Sequence, residues 1–297
     1  MDAPLQTTRL DDATVTFALG TDAAERAAVT AFVQSGTYRN PPDAARLFSN
    51  NAKNHIYRLE LPGLGCCILK EARVNPQACW TKQVGQAFRL RFRHRFLRTL
   101  RMVDAVARAG IPTFHAYACW TDEQRQPGDA LAGWPLHVRR QYFLYRELPG
   151  EMFDRVWQHG QFAPEARPLV ARYMEMAGQI ARHLHEAGLQ HRDLLPRNLI
   201  VPAELDGRGP MGLIDLDSAR PMPRLPRRWR WANTLCSLVR ITYNFDDEIL
   251  EHFARAYCRG DDVQTRRFLQ QLIDWRPHGK SLRRYQLVSL FRHSPLC

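Results

Sequence analysis

Three polar side chains near the middle of the chain have the types and the spacing that phosphoryl transfer requires. Asp193 ends a His-Arg-Asp triplet, Asn198 follows five positions later, and Asp215 ends an apolar run seventeen residues beyond Asn198. The reaction needs a carboxylate that orients the attacking hydroxyl and takes its proton, which suits Asp193. It also needs oxygen ligands for the Mg²⁺ that bridges the phosphates, which suits Asn198 and Asp215. The pattern therefore predicts a catalytic base beside a magnesium site.

The elements around these residues would bring them together. Apolar residues at helical spacing predict a helix over 167–187 that leads directly into the triplet. Further on, Asp206-Gly207 indicates a hairpin between strands over 199–201 and 212–214. The two predicted magnesium ligands would then lie at the same end of a small ribbon.

The order of these motifs resembles the catalytic and metal-binding loops of the protein-kinase-like fold. The resemblance implies a two-lobed α+β fold, with a small antiparallel β-sheet and one αC-type helix in the N-lobe and a larger, α-helical C-lobe. Residues 41–147 would form the N-lobe, and residues 148–297 would form the C-lobe. Residues 1–40 are polar with little periodicity, so we expect them to form an N-terminal extension that caps the first lobe.

The same resemblance assigns Lys70 to the nucleotide phosphates. Apolar and alternating patterns predict three strands over 46–48, 55–61 and 66–70, and the last strand ends in this lysine, one of only four in the chain. In the kinase-like fold, a lysine carried on such a strand holds the α- and β-phosphates and takes part in catalysis. We therefore expect Lys70 to bind ATP.

The rest of the nucleotide site would come from the first lobe and the hinge. Ser49 and Asn50 begin a glycine-free loop that would lie over the phosphates and donate hydrogen bonds to them. Two further strands, over 114–120 and 141–145, lead to the segment that resembles the hinge between kinase lobes. There the backbone carbonyl of Arg146 and the N–H of Leu148 would contact an adenine edge.

One position departs from the kinase pattern. A basic, insertion-like stretch over 71–93 runs into a helix predicted over 89–109, which corresponds to αC. A glutamate should pair there with Lys70, yet the position is basic, and the nearby acids are Glu71 and Asp104. Either one of these acids pairs with the lysine or the lysine is held in another way.

The segment after the predicted metal ligand argues against a protein substrate. A eukaryotic-type protein kinase has a long activation segment that ends in Ala-Pro-Glu, but about fifteen residues separate Asp217 from the next predicted helix and no such triplet occurs. Arg197, four residues after Asp193, would supply positive charge to the transferred phosphate. A small molecule or a glycan would not need the missing segment.

The chain also resembles the bacterial lipopolysaccharide-core kinases over roughly residues 45–260. The similarity lies in five short motifs: Ile68-Leu69-Lys70, Ala109-Gly110-Ile111-Pro112-Thr113, His191-Arg192-Asp193 with Asn198, Leu213-Ile214-Asp215-Leu216-Asp217-Ser218-Ala219-Arg220, and Pro226-Arg227-Arg228-Trp229-Arg230. It implies transfer from ATP, with Mg²⁺, to a heptose or Kdo sugar of the inner core. The partners would be a lipopolysaccharide core or lipid A precursor and the inner-membrane surface, on the cytoplasmic face of a Gram-negative cell.

The charge of the chain suits an anionic acceptor. The formal net charge is +12 and the sequence pI is about 9.8, and both come almost wholly from arginine. Guanidinium groups bind phosphate through two parallel hydrogen bonds. The arginines placed just past the metal carboxylate are the candidates for the acceptor: Arg220, Arg227, Arg228 and Arg230. Charge alone would also permit nucleic acid, but no recognition motif supports specific binding.

Other features favour a peripheral protein in a reducing compartment. The seven cysteines are scattered and form no Cys-x-x-Cys pair, which argues against a disulfide framework and a structural zinc site. No run of about 18 apolar residues suits a membrane span, and the first residues do not resemble a secretory signal. We expect a cytoplasmic location.

Two other functions stay open on the sequence alone. One is a small-molecule phosphotransferase, similar to aminoglycoside or choline kinases, or an atypical protein kinase. The other is a non-catalytic nucleotide-binding pseudokinase, because the expected αC glutamate is missing.

Overall fold

The structure is a computed structural model. It describes the following ranges, to which every statement below refers: residues 5–50, 54–75, 77–92, 94–123, 140–162, 164–204, 207–222, 234–235 and 238–276. The chain divides into two compact units. Unit 1 comprises Met1–Ala105 and Phe114–Glu147, and unit 2 comprises Val106–Thr113 and Leu148–Cys297.

Unit 1 is built on a seven-stranded sheet in the order β1-β2-β6-β7-β5-β4-β3. All pairings in this sheet are antiparallel. Its strands are β1 (Thr7–Leu10), β2 (Ala13–Phe17), β3 (Arg46–Asn50), β4 (Asn54–Leu61), β5 (Gly65–Ala72), β6 (Ala116–Asp122) and β7 (Arg140–Arg146). The helices before β6 are α1 (Ala23–Ser35), α2 (Trp80–Phe92) and α3 (Arg95–Arg108). The strands predicted from residue 46 onward are confirmed.

The first forty residues contribute to this sheet. Strand β2 pairs with β6, with Ala13 opposite Asp122 and Phe17 opposite Ala118. Helix α1 begins with a capping box, in which Asp22 and Glu25 each bond the other's backbone N–H. The expected extension over 1–40 therefore forms part of unit 1. The sequence pattern was weak because β2 buries Thr16, a polar residue that is only 6 % exposed.

The single helix predicted over 89–109 is wrong, because two helices occupy this region. Helix α2 lies within the stretch interpreted as a basic insertion, and α3 begins at Arg95. The imidazole Nδ1 of His94 accepts the backbone N–H of Leu97 at 3.2 Å, so His94 caps the start of α3. Burial lowers the pKa of His94 to about 4, which keeps the ring neutral and able to accept this bond.

A buried ionic cluster ties the start of the chain to β6. The carboxylate of Asp122, which is fully buried, accepts hydrogen bonds from the Tyr38 hydroxyl at 3.0 Å and from Arg39 Nε at 2.7 Å. Around it, the rings of Tyr38, Trp120 and Tyr142 pack with centroids 4.8 to 5.4 Å apart. This cluster anchors residues beyond α1 to the core of unit 1.

Unit 2 combines helices with short strands. The helices are α4 (Phe153–Phe162), α5 (Arg167–Glu186), α6 (Asp247–Tyr257) and α7 (Asp262–Trp275). The strands form two small sheets, of order β11-β10-β8 and β12-β9, and comprise β8 (Glu151–Met152), β9 (Leu189–His191), β10 (Leu199–Val201), β11 (Gly212–Leu213) and β12 (Ala219–Pro221). The helix predicted over 167–187 and the hairpin of β10 with β11 are confirmed.

Close packing of two helices holds unit 2 together. Helix α5 buries one face, including Tyr173, Met174 and Ala177, and α6 packs along it. At Gly178 the two backbones approach so closely that a Cβ atom would overlap the carbonyl oxygen of Phe253. Within the described ranges, no helix has the length and apolar character needed to cross a bilayer.

Candidate active site

The loop after β9 carries Asp193 at the surface of unit 2. The loop is fixed from within, because the side-chain amide of Asn198 donates to the backbone carbonyl of Asp193 at 2.8 Å. The backbone N–H of Asn198 also donates to the carbonyl of Leu195 at 2.8 Å. Asn198 is 5 % exposed, whereas the Asp193 side chain is 22 % exposed. The carboxylate is therefore held on a rigid loop and stays accessible.

Two backbone contacts join this loop to Asp215. The N–H of Ile214 donates to the carbonyl of Asn198 at 2.9 Å, and the ring Nε2 of His191 lies 3.1 Å from the backbone oxygen of Asp215. Asp215 itself adopts the left-handed conformation, with φ 56° and ψ 51°. An L-residue pays for that conformation in free energy, and aspartate is one of the few residues that adopts it. The structure thus brings together the three residues predicted to do the chemistry.

The donor atoms available here fit Mg²⁺. Asn198 uses its amide nitrogen in the loop, which leaves the amide oxygen as an acceptor, and Asp215 adds a carboxylate. Mg²⁺ prefers such oxygen ligands and is commonly held by one or two protein groups together with substrate phosphates and water. Among the described residues, no group of three or more His, Cys, Asp or Glu could hold a metal. Asn198 and Asp215 would supply two ligands, and phosphates and water would supply the others.

Two arginines surround the Asp193 carboxylate. Arg240 contacts Oδ1 through its Nη1 atom, and Arg197 places Nη2 at 3.7 Å from Oδ2. The side chains of Arg240 and Arg197 are 32 % and 58 % exposed. Arg197 lies beside Asp193, and its role of supplying positive charge to the transferred phosphate stays a prediction. Arg240 was missed, although a single arginine within the apolar run Leu238-Val239-Arg240-Ile241 is a usable signal.

Lys70 lies in unit 1, near the end of β5. It pairs with Ile56 on one side and with Phe143 on the other, is 8 % exposed, and places Nζ 5.8 Å from the ring centroid of Tyr145. Burial beside an aromatic face gives the ammonium group a favourable cation–π contact. Its predicted role with the phosphates stays a prediction.

Glu71 does not substitute for the missing αC glutamate. Its carboxylate accepts from Arg140 Nη1 at 3.0 Å and from the Tyr57 hydroxyl at 3.4 Å, in a buried cluster. Because neighbouring residues of a strand point to opposite faces, Glu71 and Lys70 lie on opposite faces of the sheet. Asp104, the other acid considered, lies on α3.

The predicted phosphate loop begins later than expected. Ser49 and Asn50 are the last residues of β3, where they pair with His55 and Asn54. Their strand pairing accounts for part of the stretch that was expected to be a loop. Residues 51–53 are outside the described residues, and the proposed contact with phosphates is untested.

The hinge residues and the acceptor arginines have the following positions. The Arg146 backbone N–H donates to the carbonyl of His115 at 2.8 Å, and its side chain bonds the Tyr117 hydroxyl. The contact of its carbonyl with adenine stays a prediction. The Leu148 side chain packs against Gly212 in unit 2. Arg220 lies on β12 opposite Gln190. Arg227, Arg228 and Arg230 are outside the described residues.

Part of the chain matches the model of a known protein family. The model of the lipopolysaccharide kinase (Kdo/WaaP) family matches residues 154–257, which include Asp193, Asn198 and Asp215. That stretch is less than half of the chain, and over it the chain resembles the lipopolysaccharide kinases, in agreement with the family that the sequence motifs indicated. The resemblance also agrees with the predicted enzyme class, a phosphotransferase that acts on a sugar hydroxyl.

A solved structure gives the fold. The chain is similar to a structure described as WaaP in complex with acyl carrier protein, with a TM-score of 0.50 and 19 % sequence identity. The match covers 79 % of this chain and 87 % of that one. The predicted kinase-like α+β fold is thereby confirmed.

Curated relatives match over short stretches. A probable serine/threonine-protein kinase of Dictyostelium discoideum is 32 % identical over 72 residues, which is 23 % of this chain and 9 % of that protein. A probable myosin light chain kinase of the same organism is 36 % identical over 55 residues, which is 18 % of this chain and 17 % of that protein. The chain thus spans less than a fifth of the length of either relative.

Proposed function

We propose that this protein is an ATP-dependent kinase that phosphorylates a heptose or Kdo sugar of the lipopolysaccharide inner core. The observation that carries the proposal is the linkage of Asp193, Asn198 and Asp215 through three hydrogen bonds in unit 2. These are the groups that phosphoryl transfer needs, in the part of the chain that the family model matches.

Asp193 would serve as the general base. Its carboxylate would accept a hydrogen bond from the acceptor hydroxyl, orient the oxygen toward the γ-phosphate and take the proton as the bond forms. Arg197 would add positive charge beside the transferred phosphoryl group, and Lys70 would hold the α- and β-phosphates of ATP. The adenine would contact the backbone of Arg146 and Leu148, while Ser49 and Asn50 would lie over the phosphates.

Asn198 and Asp215 would hold Mg²⁺ through the amide oxygen and the carboxylate. A bound Mg²⁺ would neutralise charge on the phosphate oxygens and lower the barrier to transfer. The contribution of the protein is to keep both ligands fixed, by the Ile214 to Asn198 hydrogen bond and by the contact of His191 with Asp215.

The acceptor would be a lipopolysaccharide core or lipid A precursor at the inner face of the inner membrane. The charge of +12 would favour a peripheral position on an anionic bilayer, and Arg220, Arg227, Arg228 and Arg230 would bind acidic groups of the core. Because the neighbour of known structure is in complex with acyl carrier protein, we include that protein as a candidate partner.

A transfer assay tests the proposal. The full chain is incubated with ATP, Mg²⁺ and purified core oligosaccharide, and the product is analysed by mass spectrometry for an added phosphate and by fragmentation for its position. Parallel reactions contain an aminoglycoside, choline or a generic protein substrate. Phosphate on a heptose or Kdo residue supports the proposal, whereas transfer only to one of the other acceptors, or to none, contradicts it.

A further inference from the structure

The contact between Arg240 and Asp193 has no place in the chemistry described above. Arg240 lies on a six-residue 3₁₀ segment, Val239–Asn244, and is 47 positions from Asp193 in sequence. Its neighbours Val239 and Ile241 are fully buried, so the backbone that carries the guanidinium is fixed in the core of unit 2. The guanidinium reaches the surface from this anchor and contacts the carboxylate proposed as the base.

A guanidinium in this position affects Asp193 in a definite way. It keeps its charge at any pH at which the protein is folded, and it bonds carboxylate and phosphate oxygens with similar geometry. While it bonds Oδ1, it occupies lone pairs that the acceptor hydroxyl would use. An anionic group brought close to the site would therefore compete with Asp193 for the same donors.

The second arginine makes this exchange possible. Arg197 lies 3.7 Å from Oδ2, on the other oxygen of the carboxylate, so Asp193 would keep a cationic neighbour if Arg240 turned away. The Arg240 side chain is 32 % exposed, so an anionic ligand in solvent can approach its guanidinium. The ion pair is accordingly placed where it can open without leaving a buried charge uncompensated.

We propose that Arg240 is a specificity-determining latch: it bonds Asp193 until an anionic group of the acceptor, a phosphate or carboxylate next to the reacting hydroxyl, takes its guanidinium and frees the base. The inference rests on the proposed function, since it assumes that Asp193 is the base and that the acceptor is an acidic glycan. This exchange would let the enzyme discriminate between acidic and neutral sugars at Asp193 itself.

Binding without nucleotide separates the latch from a structural ion pair. Isothermal titration measures the affinity of purified, acidic core oligosaccharide for the wild type, Asp193→Asn and Arg240→Ala. We expect Asp193→Asn to bind about 3- to 10-fold more tightly than the wild type, because the amide competes less well for Arg240. We expect Arg240→Ala to bind the oligosaccharide at least about 10-fold more weakly than the wild type does. Arg255→Ala, an exposed arginine on α6 paired with Glu251, is the matched control and should bind as the wild type does.

The acceptor is then varied to identify the group that is recognised. Dephosphorylated and carboxyl-reduced forms of the oligosaccharide are titrated separately. If the wild type and Arg240→Ala bind one of these forms with equal affinity, the group removed from that form is the one that Arg240 recognises. Steady-state transfer gives a second readout. We expect Arg240→Ala to raise the KM for the acidic acceptor, and Arg240→Lys to have a KM between those of Arg240→Ala and the wild type. Melting temperatures of all variants confirm that they are folded.

The outcomes distinguish two failures. If the wild type transfers phosphate to the core but Asp193→Asn and Arg240→Ala bind acidic acceptor with the wild-type affinity, the latch is wrong and the kinase function stands. Equal loss of affinity for acidic and neutral acceptors in Arg240→Ala also overturns the latch, because it indicates a structural role. If the wild type transfers phosphate to no core acceptor, the proposed function fails and the latch fails with it.

Discussion

The ring Nε2 of His191 lies 3.1 Å from the backbone oxygen of Asp215, and this contact joins the start of the loop that carries Asp193 to the predicted metal ligand. His191 is also paired, through β9 and β12, with Ala219 on the far side of that ligand. The histidine therefore holds the backbone of Asp215 through a contact separate from the hydrogen bond between Ile214 and Asn198. We expect its main role to be positional.

Replacing His191 should loosen Asp215 without removing a reacting group. His191→Ala deletes a buried side chain, 1 % exposed, and leaves the carbonyl of Asp215 without this donor, which should cost about 1 to 3 kcal/mol of stability. Transfer should fall more than nucleotide binding does, and the Mg²⁺ concentration for half-maximal rate should rise. Thermal unfolding and Mg²⁺ titration measure these effects. His252→Ala, on the surface of α6, serves as the control, and an equal effect of both changes would contradict the positional role.

The left-handed backbone of Asp215 predicts opposite effects on stability and activity. Asp215→Gly removes the strain of φ 56° and should leave the free energy of unfolding unchanged or raise it by up to about 1 kcal/mol. Asp215→Ala keeps the strain and should be less stable than the glycine variant. Both variants should lose transfer, because both lack the carboxylate. Denaturant unfolding and the transfer assay together test this pair, and a glycine variant that is less stable than the alanine variant would count against it.

Asp193→Asn should remove the base and keep the fold. Loss of a general base typically costs about 10²- to 10⁴-fold in rate. The side chain is partly exposed and the loop is held by Asn198, so the melting temperature should stay within a few degrees of the wild type. Single-turnover transfer and fluorescence binding of a nucleotide analogue measure rate and binding separately. Glu251→Gln on α6 is the control, and wild-type turnover by Asp193→Asn would exclude Asp193 as the base.

Two helical glycines provide a matched test of packing. A Cβ atom at Gly178 would overlap the carbonyl oxygen of Phe253, so Gly178→Ala should force α5 and α6 apart and destabilise unit 2 by about 1 to 3 kcal/mol or more. A Cβ atom at Gly85 in α2 meets nothing within 4 Å, so Gly85→Ala should stabilise the protein by up to about 1 kcal/mol. Urea unfolding followed by circular dichroism gives both free energies of unfolding. A destabilised Gly85→Ala variant would argue against an open helical position for Gly85.

Lowering the pH should decrease the free energy of unfolding, because the chain buries a histidine. Burial lowers the pKa of His185 to about 4, and its Nδ1 lies 2.9 Å from the Tyr257 hydroxyl. In an unfolded chain the pKa returns to about 6.5, so protonation favours unfolding. The contribution is fully present above pH 6.5 and is lost as the pH falls toward 4, with a slope of up to roughly 1.4 kcal/mol per pH unit. His185→Phe should flatten this part of the curve, and parallel curves for both proteins between pH 7 and 4 would refute the assignment.

The active-site loop could be predicted from sequence because its signal is local. Asp193, Asn198 and Asp215 are separated by short segments whose turn and strand patterns fix their relative positions. Helix α5 was equally clear, since it has a long apolar face at helical spacing.

The features that were missed depend on distant partners. Arg240 contacts a residue 47 positions away, and Tyr38 bonds Asp122 across 84 positions, so neither pairing is visible in a local pattern. Strand β2 was missed because it buries a threonine, Thr16, and the sequence does not distinguish a buried threonine from an exposed one. Helix α2 was missed because it buries little apolar surface, mainly Ala87 against Val74, while its other face is basic.

Strand β2 pairs with β6, so the order of synthesis matters for how unit 1 is assembled. The hairpin Thr7–Phe17 leaves the ribosome long before Ala116–Asp122, and until that later strand emerges it has no neighbour on its inner edge. Nascent chains of intermediate length would expose an unpaired strand edge for many seconds, at the usual rates of about 5 to 20 residues per second. Such an edge can pair with another chain, so we expect nascent chains of this length to be prone to aggregation and to bind general chaperones.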